Sequence, residues 1–109
     1  MGRFYVQYIT ELHETPIICK NCDTHLSKIS SIKDVNYSCS NGKAYYIIDV
    51  INAFIKDQYQ VDFTTGKHDI CDIQCSVCLE KLGWKYIKAY DESNKHKENR
   101  FALDQSKIR

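Results

Sequence analysis

No run of about 18 apolar residues occurs in the chain, which excludes a membrane-spanning helix. The opening MGRFYVQYITELHETP holds no apolar stretch of signal-peptide length and no small-residue cleavage site. Gly2 falls short of the myristoylation pattern, because Val6 stands where Ser or Thr is required. We therefore expect a protein inside the cell, nuclear and/or cytoplasmic, with no membrane partner and with its thiols reduced. A large charge excess is missing too: the formal net charge is +1. Residues 1–80 carry 7 basic and 10 acidic side chains, and residues 81–109 carry 8 and 4. So mild an asymmetry reads as a solvated face, and it argues against nucleic acid as the main partner. Internal repeats, heptads and low-complexity segments are absent as well.

What the chain does hold is one domain's worth of folded sequence. Its 109 residues are 43% hydrophobic and 12% aromatic, the composition of a folded chain with a thin core. Thin cores are often reinforced by metal or disulfides. Eight tyrosines dominate the aromatics and suit sheets with one wet face, so the expected class is mainly β.

Four of the six cysteines form C-x2-C twice, Cys19 with Cys22 and Cys75 with Cys78, separated by 52 residues. Two cysteines at this spacing turn both sulfurs to one point in a tight loop, and two such loops clamp a tetrahedral zinc ion. A single pair would equally suit redox chemistry, but two pairs in a reduced compartment point to a structural metal. The gap is too long for a finger or a single ribbon. Folded structure must bring the loops together, and the metal then closes a large loop of the unfolded chain. Lys20, Lys28, Lys81 and Lys85 lie near the ligands in sequence and are candidates to offset the thiolate charge. Cys71 reads as a buried structural thiol and Cys39 as a partly exposed free one.

Along the chain, residues 27–43 are polar and include Asn41-Gly42, a turn signal. KAYYIIDVINAFI (43–55) reads as one long or two short strands, and QYQVDF (58–63) puts Tyr59, Val61 and Phe63 on one side. Thr65-Gly66 turns the chain, and KHDICDIQ (67–74) leads into the second cysteine pair. GWKYIKAY (83–90) alternates, with Trp84, Tyr86, Lys88 and Tyr90 expected on one face. DESNKHKENR reads as a polar turn or loop, and RFALD as a last strand.

The spacing of these marks resembles the Yippee family of small zinc-binding proteins. The features that carry the resemblance are the two cysteine pairs, His25-Leu26, Gly42, Ala44-Tyr45, Asn52, Gly66, Asp72-Ile73, Gly83-Trp84-Lys85-Tyr86 and Lys97-Glu98. It covers roughly residues 17 to 104. The family usually has Gly where Cys39 and Asn99 stand, Leu at Tyr46 and Glu at Asp104. The resemblance implies a domain over 14–104 with short extensions at 1–13 and 105–109. It also implies a β-tent fold: two antiparallel sheets meeting at an angle, pinned by one four-cysteine zinc site. Cereblon's ligand-binding domain and the methionine-R-sulfoxide reductases use a similar fold, so the fold alone does not choose a function.

The reductases that resemble this fold attack with a cysteine beyond the second pair, and no cysteine follows Cys78 here. No serine or free cysteine is clearly placed to complete a catalytic set with His68 and Asp69. We expect no enzyme. Trp84 lies at the distance of one cereblon cage residue, but the other two cage positions fall on Ile70 and Thr64, so a cyclic imide is not expected. A core anchor is the plainer reading of Trp84, while a different ligand pocket using Tyr45, Phe63, His68, Trp84 and Tyr86 stays open. A nucleic-acid-binding surface is the other alternative, with exposed tyrosines stacking on bases. The resemblance favours a non-catalytic protein-interaction or regulatory module, in its sharpest form an adaptor or subunit of the CTLH (GID) ubiquitin ligase.

Overall fold

The described residues form eight strands, and every pairing between them is antiparallel. The computed structural model describes residues 6–10, 14–39 and 42–109. Strands β1 (Pro16–Ile18) and β2 (His25–Lys28) make a two-stranded hairpin. The other six are β3 (Ile32–Cys39), β4 (Gly42–Ile47), β5 (Ala53–Phe63), β6 (Gly66–Cys75), β7 (Lys81–Ala89) and β8 (Phe101–Asp104). They form one sheet in the order β3-β4-β8-β7-β6-β5. This is the mainly β, two-sheet architecture the sequence led us to expect.

The structure decides one reading the sequence left open, that of 43–55, and departs from others in detail. The stretch 43–55 is two strands, separated where residues 48–52 leave the sheet and Asn52 takes a left-handed φ of 56°. The polar stretch 27–43 is mostly β-structure. Its strand β3 is a sheet edge with largely exposed side chains, and an edge needs no apolar alternation. Asn41, half of the turn signal, lies outside the described residues, while Cys39 and Gly42 pair across the β3–β4 hairpin. DESNKHKENR contains a 3-10 turn, Glu92–Lys97, capped by the Asp91 carboxylate accepting from the Ser93 N–H at 3.0 Å.

Strand β7 corrects the expected alternation. Ile70 pairs with Tyr86, but Asp69 pairs with Lys88, so Ile87 is an extra residue in a bulge. The bulge moves Lys88 and Tyr90 to the face opposite Tyr86, where the Tyr90 hydroxyl meets both Asp69 carboxylate oxygens at 3.2 and 3.0 Å. A second irregularity between Ile73 and Gln74 skips Leu82 and turns it into the core.

The two faces of the large sheet do different things. One face, with Ile47, Ile73 and Leu103, packs against the β1–β2 hairpin through Ile17 and Leu26, and Leu82 joins this core. Five of its side chains, Leu26, Ile47, Ile73, Leu82 and Leu103, are fully buried, each contributing about 1.5–3 kcal/mol of transfer energy. Cys19 and Cys75 sit in the same cluster. The other face gathers Tyr37, Tyr46, Phe63, His68, Trp84 and Tyr86 over two buried alanines, Ala44 and Ala102. Residues 105–109, expected to be an extension, hold to the first cysteine loop. Ile108 is in the core and bridges to Cys19, and Arg109 exchanges both backbone hydrogen bonds with Ile18.

Candidate metal centre and the aromatic cavity

Each cysteine pair closes the turn of an antiparallel hairpin, β1–β2 or β6–β7, and the two turns share one geometry. In the first, the Asp23 N–H donates to the Cys19 carbonyl at 2.8 Å and the Cys19 N–H to the Thr24 carbonyl at 2.8 Å. In the second, the Leu79 N–H donates to the Cys75 carbonyl and the Cys75 N–H to the Glu80 carbonyl, both at 2.9 Å. The residue after each second cysteine is left-handed, Asp23 at φ 63° and Leu79 at φ 65°. Asp is tolerated there, whereas Leu carries a conformational penalty of about 1 kcal/mol or more that the rest of the turn must outweigh.

The four sulfurs lie within 4.8 Å of one another. Cys19 Sγ is 3.6 Å from Cys78 Sγ, and Cys22 Sγ is 3.5 Å from Cys75 Sγ. Tetrahedral sulfurs at about 2.3 Å from zinc stand about 3.8 Å apart, so the set fits the ion with small adjustments. A disulfide would need sulfurs about 2.0 Å apart. Cys19 and Cys75 are buried, and Cys22 and Cys78 are half-buried. Burial pushes the Cys19 thiol up to about 12 and raises that of Cys75. Burial acts to raise Cys22 too, but the Thr24 hydroxyl, 3.0 Å away, the Thr24 backbone and the neighbouring thiols outweigh it and bring the group to about 7. A bound dication removes this cost by holding all four as thiolates.

The negative charge is met by backbone amides more than by the lysines expected from sequence. N–H groups of Asn21 and Cys22 favour the Cys19 thiolate, and those of Val77 and Cys78 favour Cys75. Lys81 pairs with Asp72 at 3.4 Å, and Lys85 sits over the Phe101 ring at 5.4 Å. Asn52 ties the two halves together. Its side chain donates to the carbonyls of Gln7 and His25, at 2.8 and 2.7 Å, and accepts from the Gln7 N–H, while its own carbonyl accepts from Ser76.

The five expected pocket residues separate. Phe63, Trp84 and Tyr86 line a cavity of about 270 Å³ together with Tyr37, Thr64, Thr65 and Lys97. His68 lies behind it, fully buried, with its ring 5.2 Å from Tyr86 and 5.5 Å from Phe63. Its Nδ1–H donates to the Gly66 carbonyl at 2.9 Å, which leaves Nε2 as an acceptor without a partner. Tyr45 is elsewhere: strand alternation puts it on the opposite face, packed against the metal-side core. Tyr37 and Lys97 are among the cavity residues that the sequence reading of the pocket did not include. Tyr37 and Tyr46 stack at 5.2 Å, and Tyr37 joins its hydroxyl to that of Tyr86 at 2.6 Å. Lys97 stood out in the sequence as a family mark beside Glu98, but nothing in its polar run marked it as a pocket residue. Of the other two cysteines, Cys71 is buried with its thiol raised, first by burial, and Cys39 is half-buried at the end of β3.

Comparison with known proteins agrees with this geometry. Residues 15–109 match the Yippee-Mis18 family, described as Yippee zinc-binding/DNA-binding/Mis18, centromere assembly. A yippee-like protein of Arabidopsis thaliana is 35% identical over 108 residues, covering 99% of this chain and 82% of its own length. Protein yippee-like 4 of Homo sapiens is 33% identical over 99 residues, covering 91% and 77%. Among solved structures, a Mis18 "Yippee-like" domain superposes with a TM-score of 0.68 at 13% identity, over 89% of this chain and 94% of that one, a likeness of fold. The chain belongs to the Yippee-Mis18 family, and Cys19, Cys22, Cys75 and Cys78 are its zinc site.

Proposed function

We propose that this protein is a non-catalytic, zinc-stabilised interaction module that acts by docking to other proteins. The observation that carries the reading is the closed metal site. Four protein sulfurs supply all the positions of a tetrahedral ion, so no position remains for water or substrate, as is usual for structural zinc. The histidine nearest the cavity is held by the Gly66 carbonyl, and among the described residues no side-chain hydrogen bond joins a cysteine or serine to a histidine. The near-neutral charge supports protein over nucleic acid as the principal partner, although the family's description includes DNA binding. In its specific form the partner is a CTLH (GID)-type ubiquitin ligase, as the Yippee resemblance implies, and the site of action is nuclear and/or cytoplasmic.

Affinity purification of the tagged, zinc-loaded protein from cells expressing that ligase tests the specific form, with mass spectrometry of what is retained. Ligase subunits enriched over a Cys75→Ser control are expected. Their absence would sink the ligase assignment, and retained nucleic acid that survives physiological salt would replace the protein-partner reading.

A further inference from the structure

Lys97 is in an unusual position for a lysine. It is only 8% exposed, at the end of the 3-10 turn that folds over the cavity. Its Nζ lies 5.9 Å from the Tyr37 ring centroid and 5.7 Å from that of Tyr86, and donates to the Thr65 hydroxyl at 3.2 Å. No carboxylate among the described residues lies within ion-pair distance of it. Lysines this buried are nearly always paired. The turn that presents it is fixed from below, since the Asn94 side chain donates to the Thr65 carbonyl at 2.7 Å.

Other buried donors share the cavity. The Trp84 Nε1–H is buried and meets no acceptor at hydrogen-bond distance, though it lies near enough to favour ionisation of the Tyr86 phenol. The Tyr37–Tyr86 hydroxyl pair uses one of its two protons internally and has one left to give. Among the described residues Asp34 is the only carboxylate on the lining. It stands at the exposed mouth, where its Oδ1 accepts the Asn36 N–H at 2.8 Å. The interior is therefore rich in donors and carries one buried positive charge. A cationic ligand is disfavoured, because Lys97 already occupies the aromatic faces that would receive it. The walls, Phe63 and Trp84 with ring centroids 5.8 Å apart and Tyr86 about 6 Å from both, suit a flat apolar body.

We propose that this cavity binds a monocarboxylate carried on a ring-sized apolar body, with Lys97 as counter-ion and the Trp84 N–H as second donor. A single ammonium with neutral donors balances one negative charge and not the two of a phosphate monoester. Burial also lowers the Lys97 pKa, a cost that an incoming anion would relieve. The carboxylate is either that of a free small acid or that of a peptide's C-terminus. The site does not depend on the partner named above, so loss of the ligase assignment leaves it standing.

Trp84 is the chain's one tryptophan, and its fluorescence reports on this cavity directly. The zinc-loaded protein is titrated with benzoate, with its neutral isostere benzamide, and with an acetylated Leu-Phe dipeptide as free acid and as amide. A saturable emission change with benzoate is expected, with benzamide weaker by about ten- to hundredfold, the worth of a charge-assisted hydrogen bond. Lys97→Met, checked for zinc content, should lose that preference, and Lys97→Arg should keep part of it. Should Lys97→Met fail to fold, the benzoate–benzamide contrast in the unaltered protein still decides. Binding of the peptide acid but not its amide would place the carboxylate on a peptide, and binding of benzoate alone on a free acid. The proposal fails if benzamide matches benzoate, or if no carboxylate probe gives saturable change up to about 10 mM, a weak affinity even for a ligand of this size.

Discussion

Replacing Gly83 by alanine tests how closely β7 and β8 are locked. Gly83 has φ 157°, and a Cβ built on it would stand 1.9 Å from the Ala102 carbonyl oxygen and 3.2 Å from the Leu103 Cα. The obstacle is backbone of the neighbouring strand, so no rotamer change relieves it. The strands must part by more than an ångström, across the pairs Gly83–Leu103, Trp84–Ala102 and Lys85–Phe101. Loss of two or three ladder hydrogen bonds at about 1 kcal/mol each, with backbone strain of about 1 kcal/mol, gives a penalty of about 3–4 kcal/mol. That is a large share of the roughly 5–15 kcal/mol typical of a domain. Gly42 is the control: its φ is 125°, but an added Cβ meets nothing within 4 Å, so Gly42→Ala should cost only about 1 kcal/mol of strain. Urea unfolding at fixed free zinc, followed by Trp84 fluorescence, measures both. A Gly83→Ala penalty within about 1 kcal/mol of the Gly42→Ala value, with unchanged slopes, would refute the close approach as the reason for glycine.

Chelation of the zinc should unfold the protein, because apparent binding energies of roughly 10–16 kcal/mol exceed the stability of such a domain, and far-ultraviolet circular dichroism would follow the loss. Native dichroism in metal-free, reduced protein would contradict this. Asn52→Ala removes three side-chain hydrogen bonds and forces alanine into φ 56°, so a loss of about 2–3 kcal/mol in urea is expected, with Asn52→Gly losing less. Half-buried Tyr37, buried Tyr86 and the more exposed Tyr59, whose hydroxyl donates to Asp72, set an alkaline limit. Burial raises Tyr37 and Tyr86, and burial with the Asp72 carboxylate pushes Tyr59 up to about 12. Folded values above the unfolded value of 10.0 mean that stability is whole below that pH and falls as pH rises through the folded values. Phenolate absorbance should therefore show late-titrating tyrosines that ionise together with unfolding, and a single normal transition would count against their burial.

The metal site was legible because four sulfurs at fixed spacing admit few other readings, and because each loop is local in sequence. The alternation of Tyr59, Val61 and Phe63 was equally plain, since side chains on a strand repeat every two residues. Lys88 and Tyr90 were misplaced because one bulged residue, Ile87, reverses every face beyond it, and a bulge leaves no periodic mark. Edge strand β3 was hidden by its polarity. Tyr45 was grouped with the wrong aromatics because a tyrosine's residue type does not say which face it takes. Asn99, where the family usually has Gly, sits at φ 65°, and Asn is among the few residues that adopt this conformation readily. Lys97 was singled out as a family mark but not as a pocket residue: a cation in a polar run looks solvated until the turn carrying it sets it against the rings.

Each hairpin tip brings two sulfurs on its own, with identical turn hydrogen bonding. A chain that has formed only its local hairpins therefore already offers zinc two separate pincers, one near each end of a long intervening segment. An ion caught by one pincer is completed equally well by the second pincer of the same chain or of another. Tethering supplies an effective concentration of roughly millimolar, which favours closure within one chain in dilute solution. Concentrated, slowly folding or freshly metallated preparations lie at the other limit. There the arrangement that gives the monomer its pin makes zinc a cross-linker, so the order in which metal and dilution are applied selects the product.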